Sequence, residues 1–481
     1  MPVPRCDDGR RHRIILGGGL CGLMMARIWL ERSNDRITVI EAGEETDPNR
    51  RPAEWLAQLH GADDWCFQTQ PVATLSGRCL DWPRGRGMGG SSRINAMIWM
   101  PPQPEDVAMM AKVGISPDRF HDAIGLATER IRPERPRVIA ETTRRCLLHC
   151  PDPNMQAFSR FNQHGSRWTS MDLINQWRAA HSGSSSRLEI IRGEVHQINQ
   201  IGNIISSVDV GTSHDVRRIE LDPGTIVVST LGTIGSPGLC LRSGLESPSI
   251  GRNLHDHLVM PVIHCIDHVA MPSTPWSMTE LARYQHAGTG IITSNLAEAG
   301  GITSNRQWQV HITPTHYLTY PRQVDPAMTI GVNVARPESR GRVQWIDGKI
   351  VIEPGYGSSK ADLNRLRDGV RHVRRWIRIL RESATSCDSA WLRHELIPGE
   401  RRQSDSQLDA SIRRYAQTLY HPGGTCAMGD VVNETYRVKG LRNFFIADAS
   451  VLPGPTMANP SAMLSAIAVD AAIVIGEQVS R

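Results

Sequence analysis

Arg13-Ile14-Ile15-Leu16-Gly17-Gly18-Gly19-Leu20-Cys21-Gly22 is the stretch from which the fold can be read. The apolar run before the glycines predicts a buried strand. The apolar positions from Leu23 to Leu30 predict a helix, and Ile37-Thr38-Val39-Ile40 predicts a second strand closing on Glu41-Ala42-Gly43. Strand, glycine turn, helix and strand in so short a span form a βαβ unit. The spacing Gly17-x-Gly19-x-x-Gly22 has a separate reason at each position. The first glycine allows a tight turn, the second lets a pyrophosphate approach the backbone, and the third lets helix and strand pack closely. The helix N-terminus then offers free N–H groups and a partial positive charge to the phosphates. Glu41 lies 22 residues after Gly19, at the end of the second strand, where a carboxylate can accept hydrogen bonds from an adenosine ribose. The motif alone does not separate FAD from NAD.

Working outward, Thr225–Thr230 is a further β-rich run ending near Gly232, so one nucleotide-binding domain is assembled from separated stretches. Thr329–Val334 and Arg342–Ile352 alternate like antiparallel strands, with Asp347-Gly348 as a hairpin turn, and are placed in a second domain with an antiparallel sheet. From Ala361 to Glu382, Leu363, Leu366, Val370, Val373, Ile377 and Leu380 recur at helical spacing. The opposite face carries Arg365, Arg367, Arg371, Arg374, Arg375, Arg378 and Arg381, as a solvated face or a surface for an anionic partner. Segments 108–185 and 260–330 are mixed in pattern. The expected fold class is α/β: a discontinuous Rossmann-type domain (10–107, 186–259 and 421–481) with a second α+β substrate-binding domain (108–185 and 260–420).

Composition narrows the function. The chain has 481 residues and a net charge of +5 with no concentrated basic patch, which argues against nucleic acid. No apolar run approaches the ~20 residues of a membrane span. Met1–Arg13 lacks the apolar stretch of a secretory signal. Ten cysteines without a CxxC pair suit free thiols in a reducing compartment, so the expected location is cytoplasmic.

A second glycine-rich stretch is more specific: Trp82-Pro83-Arg84-Gly85-Arg86-Gly87-Met88-Gly89-Gly90-Ser91-Ser92-Arg93-Ile94-Asn95. It is too glycine-dense for helix or strand and lets backbone N–H groups crowd a flat or anionic ligand. This run resembles the first signature of the glucose–methanol–choline (GMC) oxidoreductases, whose members bind FAD. Gly232–Leu245 is similar to the second signature, with Cys240 and Glu246 as departures. Ile250–His257 resembles a further flavin-domain segment, and the His255-x-His257 spacing lacks the cluster a metal site needs. The resemblance implies FAD contacts from Gly17, Gly19, Gly22, Glu41, Arg86, Gly89, Gly90, Ser91, Asn95, Asp448, Ala449 and Pro460. Several family members attach FAD through a histidine beside the Ser-Ser; Arg93 stands there here, so non-covalent FAD is expected.

Taking hydride from an alcohol requires a base for the hydroxyl proton, and an imidazole suits that role near neutral pH. Tyr420-His421-Pro422-Gly423-Gly424 resembles the family's catalytic histidine segment, which implies that His421 is the general base. Asn459, 38 residues on, matches the position that hydrogen-bonds the substrate oxygen, and with Pro460 it also reads as the N-cap and N1 of a helix through Ile467, Ala471 and Val474. In the family that helix N-terminus faces the flavin. The expected activity is oxidation of a small-molecule alcohol, with oxygen or another electron acceptor completing the cycle. Redox-neutral lyases, a light-driven fatty-acid decarboxylase and a lapsed flavin-binding protein are the rival readings on this scaffold. Aromatic residues are 5% of the chain with no obvious cluster, so no cage for a quaternary ammonium is evident.

Overall fold

The computed structural model describes residues 10–181, 185–212, 215–272, 275–322, 326–383 and 391–478. The expected unit is present as strand His12–Leu16, helix Leu20–Arg32 and strand Arg36–Glu41. The two strands are parallel, with Ile14 beside Thr38 and Ile15 beside Val39. Ile226–Ser229 joins the other side of His12–Leu16, and Leu188–Arg192 and Phe444–Ile446 form the edges. The result is a five-stranded parallel sheet whose central strands are buried on both faces, so they read as continuous apolar runs.

The helix Pro460–Gln478 packs against Leu20–Arg32 and Pro117–Ile131, and Trp29 Nε1 donates to Ala472 O at 2.8 Å. Among the described residues it is the helix long and apolar enough to cross a membrane, over Pro460–Glu477 at mean hydropathy 1.4. The sequence reading found no such run. Its 61% burial against neighbouring helices accounts for the apolar surface.

The second sheet has seven antiparallel strands. Its path runs Leu392–Ile397, Leu258–Ile266, Ala327–Val334, Trp308–Thr313, Ala299–Ile302 and Gln156–Ala157, with Gln417–Thr418 paired to Leu258–Ile266. Several of these strands fall in segments that the sequence left irregular. The alternation of Ala327–Val334 is real, although every residue is buried. Met328, Ile330 and Val332 pack into a cluster with Leu366, Val370, Val373, Ile377 and Leu380 of the helix Lys360–Ser383. Thr329 and Gly331 line an internal cavity instead of meeting solvent. The arginine face of that helix is largely paired within the chain: Arg365 with Glu338, Arg367 with Asp409, Arg371 with Asp368 and Arg374 with Glu395, at 2.7–3.0 Å.

The predicted hairpin forms as Arg342–Ile346 and Lys349–Glu353, with positive φ at Asp347 (49°) and Gly348 (75°), as a type I′ turn requires. It is a separate two-stranded sheet, not part of the large antiparallel one as expected. Val343 and Ile352 cluster with Ile234 of the helix Gly232–Arg242, so the apolar face of the hairpin is satisfied on the nucleotide side.

Candidate active site

One cavity of about 380 Å³ joins the two glycine runs to His421 and Asn459. At its nucleotide end Gly17 has φ +105°, a conformation that strains any other residue. A Cβ at Gly22 would lie 2.1 Å from Gly17 O and 3.0 Å from Ile15 Cγ2, so this glycine permits the close helix–strand contact. Gly19 lines the cavity, and a Cβ there would meet only Gly90 Cα, at 3.9 Å. The helix that starts after Gly19 has no side-chain cap. Gly89 N donates to Gly18 O at 2.7 Å, which ties the second glycine run to the first.

Glu41 does more than the sequence reading assigned. Its Oε1 accepts from Gly43 N and Gly87 N, and its Oε2 from Gly18 N, at 2.8–2.9 Å. It fastens both glycine runs together and keeps one Oε2 lone pair for a ribose hydroxyl. Of the residues expected at the flavin, Gly90, Ser91, Asn95, Asp448, Ala449 and Pro460 line the cavity, whereas Gly22, Arg86 and Gly89 do not. The Arg86 guanidinium lies over the Trp65 ring at 5.1 Å; Arg84 is the arginine of this run that faces the cavity. Asp448 is committed internally, accepting from Gly232 N (2.9 Å), Ser236 Oγ (2.6 Å) and Ser450 N (2.8 Å). Arg93 is buried outside the lining and paired with Asp63 at 2.9 Å.

At the other end, Gly423 and His255 exchange backbone hydrogen bonds at 3.0 and 3.1 Å, which sets the His421 segment against 253–257. His421 N donates to Asp256 Oδ1 at 2.8 Å, and Asp256 Oδ2 accepts from the hydroxyls of Thr418 and Tyr356. His421 Nδ1 faces His257 Nδ1, and His421 Nε2 faces Asn459 Nδ2, both at 3.1 Å. The partners fix the tautomers. His257 Nε2 lies 3.1 Å from Ala335 O, and a carbonyl only accepts, so the proton of neutral His257 sits on Nε2. Its Nδ1 is then a lone pair, His421 Nδ1 is the donor, and His421 Nε2 is left bare. Asn459 Oδ1 accepts from Gln309 Nε2 at 2.8 Å and lies 3.4 Å from His311 Nε2.

The sequence had promoted His421 and Asn459 but not His257, Gln309 or His311. The His255-x-His257 spacing was visible and weighed only as a metal signal. Gln309 and His311 sit on a strand, Trp-Gln-Val-His-Ile-Thr, whose alternation of polar and apolar residues was the available clue.

Burial pushes the His421 imidazole well below its usual range, helped by His257, His311 and Arg84, so it is neutral at neutral pH. Burial also lowers His255 to about 3, His264 to about 3 and His311 to about 4. In the unfolded chain these groups return to ~6.5. Between pH 6.5 and 4 the unfolded state therefore binds more protons, and stability falls as pH falls. Asp106, pushed up by burial to about 6, and Asp256, Glu298 and Asp448, also raised by burial, oppose this over part of the window, but they are four groups against the six lowered histidines His255, His257, His264, His311, His372 and His421. Thermal melts followed by circular dichroism should show Tm decreasing steadily from pH 7 to pH 4.5; a constant or rising Tm would contradict the neutral, buried assignment of these histidines.

The family profile described as GMC oxidoreductase matches the chain in two parts, over residues 162–259 and 337–468. The chain is 27% identical to an alcohol dehydrogenase [acceptor] of Pseudomonas putida, covering 97% of this chain and 96% of that one. It is 26% identical to the mitochondrial choline dehydrogenase of Homo sapiens, covering 97% and 89%. Among solved structures, pyridoxine 4-oxidase from Mesorbium loti matches with TM-score 0.83 at 24% identity, covering 97% of this chain and 99% of that one. The chain belongs to the GMC oxidoreductase family, whose members are FAD-dependent flavoproteins. It is an enzyme of that family, an oxidoreductase built on the Rossmann-type FAD-binding fold. The residues fit that cofactor: a glycine cradle before an uncapped helix, a carboxylate with a lone pair to spare, and the N-terminal residues Pro460 and Ser461 of the last helix all border one cavity.

Proposed function

We propose that this enzyme oxidises the C–OH group of an uncharged alcohol, with His421 as general base and non-covalent FAD as cofactor. Gly17, Gly19, Glu41, Gly90, Ser91 and Asn95 would hold FAD, with Pro460 opening the helix whose N-terminus favours negative charge. The chemistry FAD would supply is acceptance, at its N5, of the hydride leaving the carbinol carbon. Asn459 orients the substrate oxygen through Nδ2, and His421 Nε2 takes the hydroxyl proton. The observation that carries this reading is the bare Nε2 of a neutral His421, set beside the Asn459 amide in the same cavity as the glycine cradle. Arg93, locked on Asp63 and outside the cavity lining, supplies no side chain for a covalent flavin link, which supports a non-covalent mode.

The choice of an uncharged substrate follows from the lining. Beyond His421 the cavity is walled by Val259, Pro261, Ala297, Thr313, Tyr317 and Thr329, none of them charged. The carboxylates that border the cavity are Glu41 and Asp448, committed to backbone donors, and Glu194, which lies 3.9 Å from Arg242. With no free carboxylate, a quaternary ammonium would have only the aromatic rings of the lining, Trp55, Trp65, Phe67, Tyr317 and Tyr420, to offset its desolvation, an aromatic cluster that the sequence did not reveal. The test is anaerobic bleaching of the yellow protein in the dark. Uncharged primary alcohols should bleach it, and choline should not at equal concentration. Bleaching by choline but not by uncharged alcohols would overturn the substrate assignment. No bleaching by any alcohol would overturn the reaction.

A further inference from the structure

Two fully buried amides stand behind Asn459 on neighbouring strands of the antiparallel sheet: Gln309 on Trp308–Thr313 and Asn333 on Ala327–Val334. Asn333 Nδ2 lies 3.3 Å from Val334 O and 3.5 Å from Gln309 Oε1. Gln309 Nε2 lies 2.8 Å from Asn459 Oδ1. A backbone carbonyl cannot donate, so the end of Asn333 that faces Val334 is its NH₂. It follows that Gln309 presents Oε1 to Asn333 and Nε2 to Asn459, and that Asn459 presents Oδ1 to Gln309 and Nδ2 to His421. From the other side, Ala335 O fixes His257, and through it His421, in the arrangement that requires the same orientation of Asn459. Two carbonyls adjacent in sequence thus anchor both ends of one hydrogen-bonded ring, and every link in it has a consistent donor and acceptor.

We propose that Gln309 and Asn333 are positioning residues that stop the Asn459 amide from turning round, and so keep the His421 Nε2 lone pair free to take a proton. This deepens the reading of His421 as base and rests on it. If the amide turned, Oδ1 would meet the Nε2 lone pair and Nδ2 would meet the Gln309 donor, leaving buried groups unpaired. His421 could relieve that conflict by moving its proton to Nε2, the tautomer that cannot accept one there, but only by giving up its hydrogen bond to His257 Nδ1. In the observed arrangement Gln309 holds Oδ1 throughout, so when Nε2 is protonated Asn459 Nδ2 is released to the substrate oxygen without a flip.

The test is ¹⁵N NMR of the holoenzyme labelled at histidine ring nitrogens, with the His421 signals assigned by their loss in His421→Ala. Wild type should show Nδ1–H and a bare Nε2 between pH 7 and 8; the opposite tautomer would overturn the proposal. Gln309→Met keeps the volume and removes the donor. It should populate the Nε2–H tautomer and lower kcat roughly tenfold, about the value of one buried hydrogen bond, with KM changed by less than about threefold. An unchanged ring spectrum with unchanged kcat would overturn it, because a merely space-filling Gln309 moves neither. Should Gln309→Met fail to fold, Asn333→Leu, which frees the Gln309 amide to turn, is read the same way, and an unchanged ring spectrum with unchanged kcat would overturn the proposal. That spectrum requires no turnover, so a failure of the relay is distinguishable from a failure of His421 as base.

Discussion

His421→Ala is expected to keep its flavin and fold and to lose alcohol turnover by about 1,000-fold, the middle of the range for removing a positioned general base. The side chain lines the cavity but contributes no link to the nucleotide cradle, whose hydrogen bonds run through Glu41, Gly18, Gly43 and Gly87. Colour and melting temperature should therefore survive, and steady-state kinetics should show the loss in kcat with little change in KM. The wild-type pH profile gives a companion reading. Because the imidazole is held well below its ordinary range by burial and by His257, His311 and Arg84, the base form persists on acidification. The kcat/KM profile should stay level from pH 8 to below 6.5 and fall only in more acidic buffer. A variant that retains wild-type turnover, or a profile already falling at pH 7.5 on acidification, would remove His421 from the role of base.

Gly22→Ala is expected to give a protein that purifies colourless. The added methyl would sit 2.1 Å from Gly17 O and 2.7 Å from Thr230 Oγ1. Neither atom is free to retreat: Thr230 Oγ1 donates to Gly17 O at 2.7 Å, and Gly17 N is held by Ile40 O at 2.8 Å. The helix must back away from the strand, which costs about 1–3 kcal/mol as overpacking and withdraws its N-terminus from the phosphates. Flavin absorbance per mole of purified protein checks the point. Gly19→Ala is the instructive contrast, since its methyl would meet only Gly90 Cα at 3.9 Å. That variant should melt like wild type and still bind flavin weakly, because the obstruction falls on the ligand and not on the packing. Full flavin occupancy in Gly22→Ala would show that the close helix–strand approach is not what the cofactor needs.

The nucleotide half was legible because its signals are local. A strand buried on both faces is a run of apolar residues, a turn at φ +105° demands glycine, and both lie within ten residues of each other at Gly17. His421 and Asn459 were legible for another reason: the segments around them resemble a known pattern. What the sequence hid is the support behind them. Gln309, His311 and Asn333 are polar residues on strands with no solvent face, where alternation of polar and apolar residues reads as one side turned to water. Their justification is a partner far away in the chain, Asn459, which spacing does not reveal. The helix Pro117–Ile131 was missed despite a cap and an N1 proline at Ser116-Pro117, because its buried stripe is thin: Phe120, Ala123, Ala127 and Ile131. Arg86 was assigned to the cavity on resemblance alone, and the turn that carries it points Arg84 there instead.

The parallel sheet sets a timetable for biosynthesis. His12–Leu16 and the glycine turn leave the ribosome well before the imidazole at position 421, the edge strand Phe444–Ile446 and the helix Pro460–Gln478. Throughout translation the nascent polypeptide carries half of a nucleotide cleft with no opposing wall, its apolar strands waiting for partners hundreds of codons downstream. Both walls of the cleft therefore exist only after Phe444–Ile446 and Pro460–Gln478 have been made.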